Sequence, residues 1–449
     1  MEFFHNLVNN FVQANSILVA CVILFCVYFF IILEKVPKAT IVLIGANLTI
    51  VLGLLSQIKG SHGHLDPNYF INFIDFNVIF LLVSMMIIVN IAARSGVFNW
   101  LAKELLKLTK GNPRLVLLTL GLFTAVASAF LDNVTTVILV MPVTFIITKE
   151  LGLDPVPFLI TEIITSNIGG TATLIGDPPN IIIGSAAGLS FADFLFELSG
   201  IVALILVVCL GLLIFLFRNK LKSTPERMAK VANLDNSKTI TDYPLMIRSM
   251  IVLGLVILGF MLQDTIHIQT CITAMAGASF LLMFEQPHEI LHDIEWNTIF
   301  FFIGLFIIIG GLEAAGGISL MAQWLLGVTK GSQQATAMIM LWASGILSGI
   351  VDNIPYTVAM APMLVKVQSV MGADYTHPLW WCLSLGACLG GNMTIIGAAA
   401  NVIVSETSAA AGHPISFLKF MKYGVLVTFI SLVMSSLYIY FRFLSHLLT

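Results

Sequence analysis

Two stretches place a carboxylate beside an amide inside long apolar runs: ASAFLDNVTTVILVMP, with Asp132 and Asn133, and LSGIVDNIPYTVAMAP, with Asp352 and Asn353. A charged side chain at the bilayer centre costs roughly 2.5–3.5 kcal/mol even on insertion scales, so an acid there needs an ion, a proton or a partner. Asp and Asn also cap helices. The pattern fits an acid that caps the returning arm of a hairpin and also handles a cation or proton, with Thr135 beside it. Two further stretches, SNIGGTATLIGDPPN and CLGGNMTIIGAAAN, interrupt apolar helices with glycine. Glycine permits close backbone approach, and Pro178-Pro179 forbids a continuous helix. The freed backbone groups, together with Asn167, Gly169, Gly170, Thr171, Asn180, Gly390, Gly391, Asn392, Thr394 and Asn401, form a candidate site for a small solute. Half-helix N-termini would face anions there, and C-terminal carbonyls would face cations. Asp177, in GDPP, has no carboxylate mate; with Glu162 and Glu313 in apolar surroundings, it is a candidate for proton coupling. No Lys or Arg occurs in either break motif or at either hairpin tip. That favours a cation, a proton-coupled solute or a weak acid carried neutral.

The chain that must position these groups has 449 residues, 58% hydrophobic and 10% charged, with a mean hydropathy of +0.99. Its 21 basic and 24 acidic residues cannot cover a soluble surface, where roughly a quarter of residues are charged. The composition is that of a polytopic membrane protein. A net charge of −3 without a basic block argues against nucleic-acid binding. The six cysteines lie in apolar segments without metal spacing and read as small hydrophobes. His62 and His64 read as part of a solvated loop. Residues 1–15 lack the basic region of a signal peptide, so the first apolar run is expected to stay as an anchor. No nucleophile–base pair, metal-ligand set or phosphate-binding loop is evident; the reading is neither an enzyme nor an ATP hydrolase, with no cofactor or structural metal.

Uncharged runs predict spans at about 16–33, 39–58, 76–93, 199–217, 249–262, 268–284, 296–312 and 423–441. Regions 115–148 and 335–371 are too long for one span and read as re-entrant hairpins. With the N-terminus outside and both hairpins returning to their starting faces, 17 basic residues lie inside and 4 outside, out of 21. That matches the positive-inside rule. The polar segment 218–245 reads as a cytoplasmic linker between residues 1–217 and 246–449. Those halves align at a nearly constant offset: Asn77 with Asn297 and Asp132 with Asp352 at 220, Gly170 with Gly391 and Asn180 with Asn401 at 221. Five crossings plus one hairpin per half make this an inverted-topology repeat, the signature of secondary transporters. Segments 97–110 and 317–329 read as interfacial amphipathic helices.

At TEIITSNIGGTATLIGDPPNIII, VDNIPYTVAMAP and LWWCLSLGACLGGNMTIIGAAANV, the chain resembles the ion transporter superfamily over about residues 20–445. The branch is that of the arsenical-pump membrane subunit, the P-protein and the citrate-transporter-like permeases. The resemblance implies an elevator-type dimer with a scaffold and a moving transport domain. The hairpin tips and the two glycine-rich breaks would then face one another across the site. Related divalent-anion/sodium symporters carry Ser-Asn-Thr at such tips; here the tips read Asp-Asn-Val and Asp-Asn-Ile. A cytoplasmic ATPase partner is a further possibility of this resemblance.

The expected protein is therefore an all-α, multi-pass plasma (cell inner) membrane protein with ten spans, two re-entrant hairpins and two discontinuous helices. Its expected role is ion-coupled secondary transport of a small anion or weak oxyacid, with sodium or protons as coupling ion. A sodium/proton antiporter and a passive anion channel are the alternatives.

Overall fold

Long uncharged runs give long helices, because a chain in lipid satisfies its backbone only within helices or closed barrels. The computed structural model describes residues 11–12, 14–33, 35–55, 70–232 and 239–445; His62 and His64 lie outside them. Among the described residues every regular element is helical. The first half contains α1 (Ser16–Leu33), α2 (Lys38–Val51), α3 (Phe76–Arg94), α4 (Val97–Lys107), α5 (Pro113–Ser128), α6 (Asn133–Leu151), α7 (Val156–Gly170), α8 (Pro178–Ala187) and α9 (Phe191–Phe217). A short α10 (Pro225–Ala232) lies in the linker. The second half repeats the series as α11 (Tyr243–Met261), α12 (Thr270–Leu282), α13 (Trp296–Ala314), α14 (Gly317–Thr329), α15 (Gln333–Val351), α16 (Asn353–Met371), α17 (Ala373–Gly390), α18 (Ala399–Ala410) and α19 (Phe417–Ile439).

The repeat extends to the backbone. Gly96 and Gly316, Lys110 and Lys330, and Gly111 and Gly331 are mates at 220, and all six have positive φ. Asp75, at the mate position of Glu295, caps α3 by accepting from Asn77 N at 3.0 Å.

Among the described residues, eight helices are long and apolar enough to cross a membrane; six of them are expected spans, and the other two, α6 and α15, are arms of the expected hairpins. Two expected spans, 39–58 and 268–284, fall short because α2 and α12 have only 14 and 13 helical residues. At 1.5 Å per residue they reach about 20 Å, against a hydrocarbon core of about 30 Å.

The helices pack in two groups. The first contains α1, α2, α3, α11, α12 and α13; the second contains α5 to α9 and α15 to α19. Helices α4 and α14 touch members of both groups. Both ends of the α5–α6 hairpin meet the linker: Gly111 lies against Met228 and Gly152 against Arg227. Ser223 also donates to the Leu151 carbonyl at 2.7 Å. The α15–α16 hairpin opens elsewhere. Gln333 donates to the carbonyls of Asp374 and Tyr375 at 3.1 and 2.9 Å. His377 meets Phe443 edge-on with ring centroids 5.6 Å apart, and Arg442 pairs with Glu197 near the start of α9 at 3.0 Å. The two hairpins thus open at opposite ends of α9, which is about 40 Å long at 27 residues. Both hairpins end deep in the protein, and their tips meet.

Candidate functional site

At the tips, the capping expected from sequence is present. Asp132 accepts from Thr135 N at 2.8 Å and from the Thr135 hydroxyl at 2.5 Å. Asp352 accepts from Ile354 N at 3.2 Å. The two tips are otherwise unlike. Asp132 has φ −65°, an ordinary N-cap geometry, whereas Asp352 has φ +100° and ψ +138°. A non-glycine residue held there costs on the order of 1–3 kcal/mol, and it persists where its surroundings over-determine it.

Asp177 joins the tips. Its carboxylate accepts from Asn353 Nδ2 at 3.1 and 3.2 Å and from Asn133 Nδ2 at 3.3 Å. Asn133 and Asn353 are repeat mates, so an acid without a mate sits where the two halves converge. Asp177 is fully buried and Asp352 is 1% exposed. Asn133 also donates to Asn167 Oδ1 at 3.3 Å. Asn167 in turn donates to Asn392 and Asn401, both at 3.0 Å, linking the two breaks through amides.

The rest of the break residues hold the breaks together. Asn180 spends its amide on the carbonyls of Gly170, Thr171 and Thr173 at 3.4, 3.2 and 2.9 Å. Asn401 does the same for Gly391 and Thr394 at 2.7 and 2.9 Å. The freed backbone expected to bind solute is therefore largely satisfied by these two side chains, as buried carbonyls require. Thr171 and Thr394 donate to the carbonyls of Asn167 and Gly349 at 2.7 and 2.6 Å. Gly169 and Gly390 are packing positions: a Cβ would come within 2.0 Å of the Ala125 carbonyl and 2.5 Å of the Gly345 carbonyl. Gly170 and Gly391 likewise face the carbonyls of Gly176 and Gly397. Glu162 is buried between α6 and α7, where Thr144 donates to it. Glu313 lines a separate cavity with Asp75.

A cavity of about 400 Å³ lies where the two helix groups meet and is lined by Asp132, Asn133, Asp177, Asp352 and Asn353. Five of the residues singled out from sequence are thus brought together. The others stand behind or away from them. Its remaining polar lining was not singled out: Lys38 from α2, Glu295, Asn297 and Thr298 at the start of α13, and Glu406 from α18. Although no Lys or Arg lies at the tips in sequence, Lys38 supplies one of them with a basic neighbour from a distant helix. Its Nζ lies 2.7 Å from Asp352 Oδ2. The signal was a lysine at the first turn of an otherwise uncharged helix, read only as an inside-loop charge. Glu295 could have been found as the mate of the capping Asp75. Burial, with Asp132 alongside, pushes its carboxyl up to about 7 against a hydrogen bond from Thr298. Among the described residues, five carboxylates therefore face one ammonium around a cavity between two helix groups.

Comparisons with known proteins identify the family. Residues 28–386 match the family described as "Citrate transporter". The chain is 39% identical to a "46 kDa membrane protein" of Mycobacterium leprae over 429 residues, covering 95% of this chain and 99% of that one. It is 39% identical to an uncharacterized transporter of Mycobacterium tuberculosis over 428 residues, with 95% and 98% covered. It is 30% identical to the human "P protein" across 95% of this chain and 60% of that protein. The solved YdaH transporter of Alcanivorax borkumensis, whose topology is described as unusual, shares the fold with a TM-score of 0.56 at 13% identity, over 92% and 97% of the two chains. The chain belongs to the citrate transporter family. It is a multi-pass membrane transporter of the citrate and ion permease kind.

Proposed function

We propose that this protein is an ion-coupled secondary active transporter that carries a small anion or weak oxyacid, with protons or sodium as the coupling ion. The observation that carries this reading is the charge of the cavity: Asp132, Asp177, Asp352, Glu295 and Glu406 against Lys38. An anionic cargo about 4 Å from an uncovered carboxylate is opposed by about 4 kcal/mol at an effective dielectric of about 20, close to a thousandfold in binding. Cargo and neutralising cations must therefore bind together, which is the physical content of coupling. The separate packing of the two helix groups supports an elevator-type displacement of the hairpin-bearing group past the other, in an inverted repeat assembled as a homodimer. An ATPase partner is not needed for this scheme. The same acid excess supports a second reading, sodium/proton antiport without an organic cargo.

Purified protein in proteoliposomes separates these. With sodium and pH gradients imposed one at a time, labelled citrate and small oxyanions should accumulate above their external concentration, driven by one of the gradients. Sodium flux exchanging for protons with no cargo would favour the antiporter. Cargo flux that follows its own gradient alone would make the protein a channel.

A further inference from the structure

Among the described residues, the one lysine lining the central cavity comes from the opposite helix group to the acid it meets. Lys38 is on α2 of the first group, Asp352 is the hairpin tip of the second, and their side chains are 27% and 2% exposed. Two local preferences are overridden at this contact. Lys38 is the first residue of α2, behind a Pro37 N-cap with no capping side chain, where the helix dipole disfavours a cation. Asp352 takes φ +100°, which its mate Asp132 does not. Local conflicts of this kind concentrate at functional sites. The ion pairs of Arg94 with Glu289 and Asp293, and of Arg248 with Glu285, stay within the first group, that of Arg442 with Glu197 stays within the second, and that of Lys107 with Glu104 stays within α4. Upstream of residue 59 the halves align at an offset of 232, Gly45 with Gly277, which gives Lys38 an uncharged mate, Thr270. The two halves therefore treat their tip acids differently.

We infer that Lys38 is a tethered counter-cation that sets the charge coupling: it neutralises Asp352 in this orientation, and a free proton or sodium ion takes its place when the tip moves away from α2. This rests on the transport reading above, because it requires two orientations. When the tip returns, the ammonium displaces the bound cation, which leaves on the side to which the cavity is open. Asp132, Asp177, Glu295 and Glu406 face the same cavity, so the count of cations is taken by difference, with Asp352 itself as the control.

The test uses the full-length protein purified in detergent, with 22Na+ binding and potentiometric proton titration as probes. Lys38→Gln should bind about one more proton or sodium ion per chain than wild type, since a buried carboxylate stripped of its partner is left uncompensated. Lys38→Arg should show no gain, and adding Asp352→Asn to Lys38→Gln should abolish it. If Lys38→Gln does not fold, Lys38→Met keeps the apolar stem and gives the same count. No extra cation in the folded charge-removing variant, or an equal gain in Lys38→Arg, overturns the inference. Gradient-driven uptake by the wild type, run in parallel, reports on the transport reading separately. Uptake without a cation gain sinks the tethered-cation role alone.

Discussion

Asp132→Asn and Asp352→Asn should each yield an inserted, folded protein whose gradient-driven uptake is lower by at least about tenfold, the equivalent of roughly 1.4 kcal/mol or more in the rate-limiting barrier. The fold should survive because Asn caps helices about as well as Asp. In the first variant the new amide oxygen can still accept from Thr135 N, as the Asp132 carboxylate does at 2.8 Å. Asn is also among the residues best able to tolerate positive φ, which position 352 requires. What the substitution removes is the charge that holds a proton or cation beside the cargo. The two variants should differ in one respect. Asp352→Asn also leaves the half-buried Lys38 without its 2.7 Å partner, so it should impair the orientation described here more than Asp132→Asn does. Uptake assays with imposed sodium and pH gradients, alongside size-exclusion profiles, check both points. Wild-type uptake with unchanged sodium and pH dependence in both variants would contradict the role given to the tips.

Gly169→Ala should be strongly destabilising for so small a substitution. Helix α7 lies so close to α5 that the added methyl would come 2.0 Å from the Ala125 carbonyl oxygen and 2.5 Å from its Cα. The obstacle is backbone, which cannot rotate away, so the helices must separate. Overpacking of this kind costs about 1–3 kcal/mol, occasionally more, and here the upper end or beyond is expected. Gly390→Ala, against the Gly345 carbonyl at 2.5 Å, should behave alike. The controls lie in α9: a Cβ at Gly200 or Gly211 would meet nothing within 4 Å. There, alanine should stabilise the helix by up to about 1 kcal/mol. Thermal aggregation of the detergent-purified variants ranks them. Gly169→Ala melting with wild type would show that the close approach of α5 and α7 is not needed.

These glycines illustrate how far the sequence could be read. Matched motifs at 220 and 221 located both hairpins and both breaks, because a duplicated pattern of Asp-Asn and Gly-Gly survives any uncertainty about a single motif. They also located the tip acids, since a carboxylate in an apolar run stands out by its cost. They did not distinguish ligand from support. Asn180 and Asn401 looked like solute ligands, yet their amides are taken by carbonyls of their own breaks. Only the fold shows which polar groups are already satisfied. Lys38 was missed for a different reason. It is 314 residues from Asp352 in sequence, and nothing local says that the start of α2 meets a hairpin tip. Glu406 and Glu295 face the cavity from the two helix groups in the same way, and no short-range pattern pairs them.

That last pair points to the most direct test. On one side of the molecule Ser185 of α8 donates to Asp75 at the start of α3, joining the two helix groups. Their repeat mates at 221 and 220 are Glu406 and Glu295, which stand across the open cavity instead. If the hairpin-bearing group slides, the Asp75–Ser185 contact must break in every cycle. Asp75→Cys combined with Ser185→Cys should therefore form a disulfide that stops uptake and holds the cavity open to one side, with activity regained on reduction. Ser431→Cys, paired with the native Cys209 whose Sγ lies 3.8 Å from Ser431 Oγ, joins α9 to α19 within one group and should leave turnover nearly intact. Uptake that continues at its reduced-state rate with the 75–185 disulfide formed in high yield would show that the two groups do not move past each other.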